Sequence, residues 1–224
     1  MNYNTENNRA NIIGTLESDF TFDHEIYGEQ FFSIFLLVPR LSGAIDKVRV
    51  MVSERLLIGG YFEKGDKIEV IGQFRSYNSY EDGNNRLVLT VFAKELRRAG
   101  DENGRNPNEL FLDGYICKSP VYRTTPFGRE IAVNRSYNKS DYIPVIAWGR
   151  NARYALNFKV GDHVRIWGRI QSREYQKKIS ENEIVMKTAF EVSINRIELI
   201  EKEEKQTDST EGNISFENES ADLS

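Results

Sequence analysis

From Lys64 to Ser76 the chain reads KGDKIEVIGQFRS, and 96 residues later, from Val160 to Ser172, it reads VGDHVRIWGRIQS. Gly-Asp, an alternating apolar run, a second Gly and a closing Ser recur in register. A long-period echo of this kind means one structural unit built twice. The 224 residues have room for two domains of about 100 residues each. Two fainter echoes lie nearer each start: Val38-Pro39-Arg40 over Val133-Asn134-Arg135 at an offset of 95, and Ile13-Gly14 over Asp113-Gly114 at an offset of 100. Short insertions absorb the drift.

Each unit carries runs with period-two alternation and β-branched or aromatic enrichment, the pattern of half-buried strands. In the second unit these runs are 110–118, 129–135, 142–148, 163–173 and 184–199. Between the third and fourth, Asn151 to Phe158 suits a short helix. The matching slot in the first unit, Ser53 to Ile58, opens with a good N-cap residue. Five strands with a helix after the third is the order of an oligonucleotide-binding (OB) barrel. Gly14, Gly72, Gly114 and Gly168 fall inside strands and read as bulges or bends where a coiled sheet closes. The expected fold is all-β: two tandem five-stranded OB barrels at 8–99 and 109–200. A turn-rich linker covers 100–108, and an acidic, apolar-poor tail at 201–224 is expected to be disordered.

The net charge of -4 conceals a division. Residues 1–104 carry -4, residues 105–200 carry +6 and the tail carries -6. A basic second unit followed by an acidic end points to an anionic polymer as the ligand of one segment only. Enzyme chemistry has little to stand on. The two histidines, His24 and His163, sit in different halves with no ligand set around them, and no phosphate-binding, nucleophile-elbow or dinucleotide motif occurs. We therefore expect no enzyme activity, no metal and no cofactor. One cysteine, Cys117, builds no disulfide framework, and the longest nearly unbroken apolar run, Phe31 to Val38, is far short of a membrane span of about 20 residues. With a polar amino terminus in place of a secretory signal, the expectation is a cytoplasmic protein, associated with the nucleoid and not with membranes.

Within the second unit, cations and rings interleave along the expected strands. A binder of single-stranded nucleic acid needs both: positive charge for the phosphates and flat faces for unstacked bases. Arg129, Arg135, Lys139, Arg150, Arg153, Arg165, Arg169, Arg173, Lys177 and Lys178 supply the charge, and Tyr137, Tyr142, Trp148, Trp167 and Tyr175 the rings. Pro144 lacks a ladder donor and marks an edge or bulge in its strand.

The segments DYIPVIAWGR (141–150), Gly161-Asp162 and WGRIQSREY (167–175) resemble the bacterial single-stranded DNA-binding protein family, a likeness that spans roughly residues 109–200. The resemblance implies stacking positions at Tyr142, Trp148 and Tyr175; among the interleaved cations, Arg135, Arg150, Arg169, Arg173 and Lys177 are the expected phosphate contacts. It implies a non-catalytic, sequence-tolerant protein that coats single-stranded DNA in replication, recombination or repair. Four barrels per assembly in that family imply a homodimer here. The first unit departs at these positions: at an offset of 96 the counterparts of Tyr142, Trp148 and Tyr175 are Asp46, Val52 and Ser79. The tail departs too. It is acidic, yet it ends in Ser220-Ala221-Asp222-Leu223-Ser224, without the acidic and apolar tip through which the family recruits replication and repair proteins. The alternative reading is an assembly protein, a primosome or mobile-element replication accessory that works mainly through protein contacts.

Overall fold

The computed structural model describes residues 6–81, 84–100, 107–124, 130–138, 141–178 and 184–200. Six strands form the first barrel: β1 (Asn8–Leu16), β2 (Thr21–Ile26), β3 (Glu29–Pro39), β4 (Ile45–Ser53), β5 (Lys67–Glu81) and β6 (Asn84–Arg98). Six more form the second: β7 (Asn108–Ile116), β8 (Val121–Thr124), β9 (Glu130–Asn138), β10 (Asp141–Trp148), β11 (His163–Lys178) and β12 (Ile184–Ile200). The sixth strand of each, β2 or β8, is a short flap on β3 or β9 that the alternation did not reveal. The expected linker ends one residue too late, because Asn108 already belongs to β7 and is buried. The expected tail lies outside the described residues.

Alternation does what it should. In β10 the inward residues Ile143, Val145 and Ala147 are buried in the core, while Tyr142 and Pro144 between them keep contact with solvent. Ile12, Ile34, Val50, Val70, Phe74 and Val91 fill the first barrel, and Ile116, Ile166, Ile170 and Val192 join the β10 residues in the second. The plug between strands differs. In the second barrel it is a helix, α1 (Gly149–Ala155), burying Ala152 and Ala155, two residues earlier than expected. In the first it is a single 3-10 turn, Glu54–Leu57, capped as expected by Ser53, whose hydroxyl accepts from the Arg55 N–H at 3.2 Å.

The two barrels are fused through β1 and β7, which run antiparallel with Ala10 opposite Leu110. This seam makes one twelve-stranded sheet whose strand order reads the same from either end: β2-β3-β4-β6-β5-β1-β7-β11-β12-β10-β9-β8. A local two-fold axis therefore crosses the seam. Where β1 leaves β5 to join β7, the Asn8 side chain takes over the ladder, donating to Phe74 O at 2.7 Å and accepting from Phe74 N at 2.9 Å. Asn108 repeats both bonds on Ile170 at the same lengths.

The pairings also correct the repeat. Thr15 faces Leu37 as Tyr115 faces Tyr137, so β3 and β9 correspond at an offset of 100, and the echo of Val38-Pro39-Arg40 in Val133-Asn134-Arg135 is accidental. The β3–β4 connection is five residues longer than the β9–β10 one when measured from equivalent pairs: Val38 faces Asp46 with seven residues between them, and its counterpart Asn138 faces Asp141 with two. The parallel pairs Val50–Val91 and Val145–Val192 then place β4 over β10 at an offset of 95. Tyr142 and Trp148 correspond to Lys47 and Ser53, not to Asp46 and Val52. The offset of 96 holds in β5 and β11, where the register shifts at Ile71/Gly72 and again at Trp167/Gly168. Glycine is required there: a Cβ on Gly72 would lie 2.1 Å from Phe92 O, and one on Gly168 2.4 Å from Ser193 O.

Candidate nucleic-acid interface

Trp148 and Tyr142 are six residues apart on β10 and so share its outer face, opposite the core residues Ile143, Val145 and Ala147. Tyr142 is 47% exposed and Trp148 is half-buried at the junction with α1. The register carries this face across the barrel. Ile146 pairs with Ser193 of β12, and Ser193 with Arg169 of β11. Two and four residues beyond Gln171 on β11, Arg173 and Tyr175 are exposed on the same side. Ladder pairs to β12 are confined to Val145 and Ile146, so the missing N–H of Pro144 costs no bond there.

The cations differ in how they are held. Arg150, the second residue of α1, is exposed and has no ion pair among the described residues. The Arg169 Nε is buried with no hydrogen-bond partner among them. Arg173 is shared: its Nε lies 3.3 Å from Glu191, and its guanidinium sits 5.7 Å from the centroid of Tyr175. Glu191 also accepts from Gln171 at 2.7 Å. Arg135 lies opposite Pro144 in the β9–β10 ladder, and Lys177 opposite Val185 in β11–β12. The side chains of Arg135 and Lys177 fall outside the described residues.

Trp167 takes another place. It packs on the β7 side at 5.3 Å from Phe111, with the Arg196 guanidinium 4.7 Å above its ring. It lines a cleft of about 480 Å³ with Arg9, Asn11 and Phe111 at the seam. Nearby, Asp113 is held between Arg165, 2.9 Å away, and His163, which stacks on Tyr115. Burial works to raise the Asp113 carboxyl, but the bonds from Arg165 and His163 overcome it and leave the group below the ordinary carboxylate value.

On the equivalent face of the first barrel every β4 cation meets an acid. Lys47 lies 2.6 Å from Glu17 and 4.6 Å over the Phe35 ring, and Arg49 lies 2.8 Å from Asp23. Just past the strand, Arg55 lies 2.8 Å from Glu29. The rings there, Phe31 and Phe92, pack on each other at 5.6 Å, with His24 stacked on Phe31.

Sequence reasoning missed the contacts that lock the two barrels together. Ser76 of β5 donates its N–H to Asp141 at 2.7 Å, and its hydroxyl accepts from the Tyr142 N–H at 2.7 Å. Arg75 adds an ion pair to Asp141 at 3.2 Å. Across the two-fold, Ser172 N–H donates to Asp46 at 2.7 Å, and the Ser172 hydroxyl accepts from Lys47 N–H at 2.8 Å. Arg40 binds Asp46 through two nitrogens and also reaches Ser172 O, and the hydrogen bond to Asp46 raises its already high pKa. The closing Ser of the repeat was the signal, since a polar residue kept in both copies at a strand end asks for a partner.

Two closed, outward-faced OB barrels joined through their first strands define the class: a tandem OB-fold binding protein. A family model described as the single-strand binding protein family matches residues 107–200. A single-stranded DNA-binding protein of Clostridium tetani is 31% identical over 124 residues, spanning 50% of this chain and 83% of that one. A second relative of that description, from Clostridium acetobutylicum, is 37% identical over 82 residues, 31% of this chain and 74% of the other. The chain belongs to the single-strand binding protein family. The crystal structure of the wild-type single-stranded DNA binding protein from Thermus aquaticus has the same fold, with a TM-score of 0.70 at 20% identity over 92% of this chain and 98% of that one.

Proposed function

We propose that this protein binds single-stranded DNA without sequence preference and coats it during replication, recombination or repair, and that the second barrel is its main site. One observation carries the reading: Tyr142, Trp148 and Tyr175 stand on the outer wall of that barrel, with Arg169 on the same face of β11 and Arg150 two residues past Trp148, and neither cation has an ion pair among the described residues. Bases stack on such rings whatever their identity, and phosphates follow the cations. Arg135, Arg173 and Lys177 are assigned to the same phosphate track. The work is binding, with no bond made or broken.

Two copies of the chain associate to present four barrels, and the tail is the segment that meets replication or repair proteins. Titrating the full chain with poly(dT) while following tryptophan fluorescence tests the central assignment. Quenching is expected, with log affinity falling against log salt at about -0.7 for each phosphate neutralised. Binding that ignores salt, or equal affinity for a duplex, rejects it.

A further inference from the structure

The clamp between the barrels brings more than rigidity. Ser76 bonds the backbone of Tyr142, so the β5–β6 arm of the first barrel rises directly beside the outer face of β10. Side chains two apart on a strand share a face, and Ser76, Asn78 and Tyr80 therefore all point to the side on which β10 lies. Tyr80 is 73% exposed, a large ring held in water. It stands about 13 Å along the arm from the Ser76 contact, at roughly 3.3 Å per residue. Tyr175 occupies the arm of the second barrel itself, on the face it shares with Arg173.

We infer that Tyr80 of the first barrel is a stacking residue of the second barrel's single-strand track, so that one DNA strand lying on Tyr142 passes onto the opposite arm and the binding site is built from both halves of the chain. The inference rests on β10 being a single-strand-binding face. The ring's position makes this the economical use of it: Asp141, almost fully buried, holds Ser76 and Arg75 and so fixes the arm's base relative to Tyr142 before any ligand arrives. A groove fixed in advance spends no binding free energy on ordering the arm. The mate position on the second arm is Gln176, which has no ring, so the composite track exists on one side of the two-fold only.

The experiment uses the full chain and a dT oligomer of about 8 nucleotides, within the span of one barrel. Affinity and stoichiometry are measured for the parent, Tyr80→Ala, Tyr80→Phe and Tyr142→Ala. If the ring belongs to the track, Tyr80→Ala weakens binding about 5- to 150-fold, the range for losing one stacked base. Stoichiometry stays unchanged and Tyr80→Phe retains the affinity. If Tyr142→Ala weakens binding while Tyr80→Ala leaves the affinity as it was, or merely removes a second and separate binding event, the composite site is wrong and the β10 face survives. If Tyr142→Ala binds as tightly as the parent, the β10 reading fails and this inference fails with it. Tyr80 is exposed, so circular dichroism of Tyr80→Ala is expected to match the parent and to leave any loss of affinity attributable to the ring.

Discussion

The two barrels are close copies in backbone and opposites in surface. Their long-arm ladders, the bulges at Gly72 and Gly168 and the asparagine staples correspond across the seam, yet the outer wall of one strand reads Lys47, Arg49, Met51, Ser53 in the first and Tyr142, Pro144, Ile146, Trp148 in the second. The first wall is not short of charge. It has cations, but Glu17, Asp23 and Glu29 from the preceding strands and their connections answer each one. At the offset of 100 that relates these segments, Glu17 falls on Cys117 and Glu29 on Arg129, while Asp23 is the extra residue where the β2–β3 register shifts. The first wall therefore differs from the second in carrying cations that acids answer where the second carries rings.

The comparison breaks most visibly if the rings are exchanged for nothing. Tyr142→Ala and Trp148→Ala are each expected to cost about 1–3 kcal/mol of single-strand affinity, whereas Lys47→Ala, at the corresponding place, costs little; fluorescence titration reads both. If Lys47→Ala matters as much, the barrels share the work and the asymmetry is only skin deep. Next comes the shared scaffold. Asn8→Ala and Asn108→Ala each strand a buried backbone N–H and C=O, and each is expected to lower stability by about 1–3 kcal/mol in urea unfolding. Markedly unequal losses would show that the two halves are not energetically equivalent copies.

A gentler change sharpens the contrast. Replacing Asp23 and Glu29 with Asn and Gln releases Arg49 and Arg55, and the log-log salt slope is expected to steepen by up to about 1.4 as two more phosphates find partners. An unchanged slope would mean that geometry, not charge pairing, silences the first wall. The smallest effect concerns Asp113, which has Arg165 and His163 as partners. Its folded pKa lies below its unfolded value near 3.9, so it stabilises the fold above that value and ceases to as pH falls through the folded one. The loss is about 1 kcal/mol or less for a partly exposed group. Urea midpoints of the parent and Asp113→Asn are expected to differ at pH 6 and to converge toward pH 3.

Much of this was legible in the chain before any coordinates. The GD…G…S repeat announced duplication because a barrel needs the same turn, bulge and strand end in each copy. The alternation in 142–148 separated core from surface because side chains on a strand must point to opposite faces. The flaps β2 and β8 escaped notice since short exposed strands carry no alternation to read. The equivalence of Tyr142 with Lys47 escaped too. Register is a property of paired strands, and loops of different length shift it without leaving a mark in either strand.

Residue order alone thus determined the duplicated all-β fold, the choice of which residues are apolar and inward, and the concentration of rings and cations in the second half. Those follow from local periodicity and composition, which each segment possesses by itself. Only the tertiary structure decided which cations are answered by acids, and that Asp141 and Ser76 bind one barrel's arm to the other barrel's wall. Such facts depend on residues from 26 to 66 positions apart meeting within 3 Å, and that meeting is set by how the strands close.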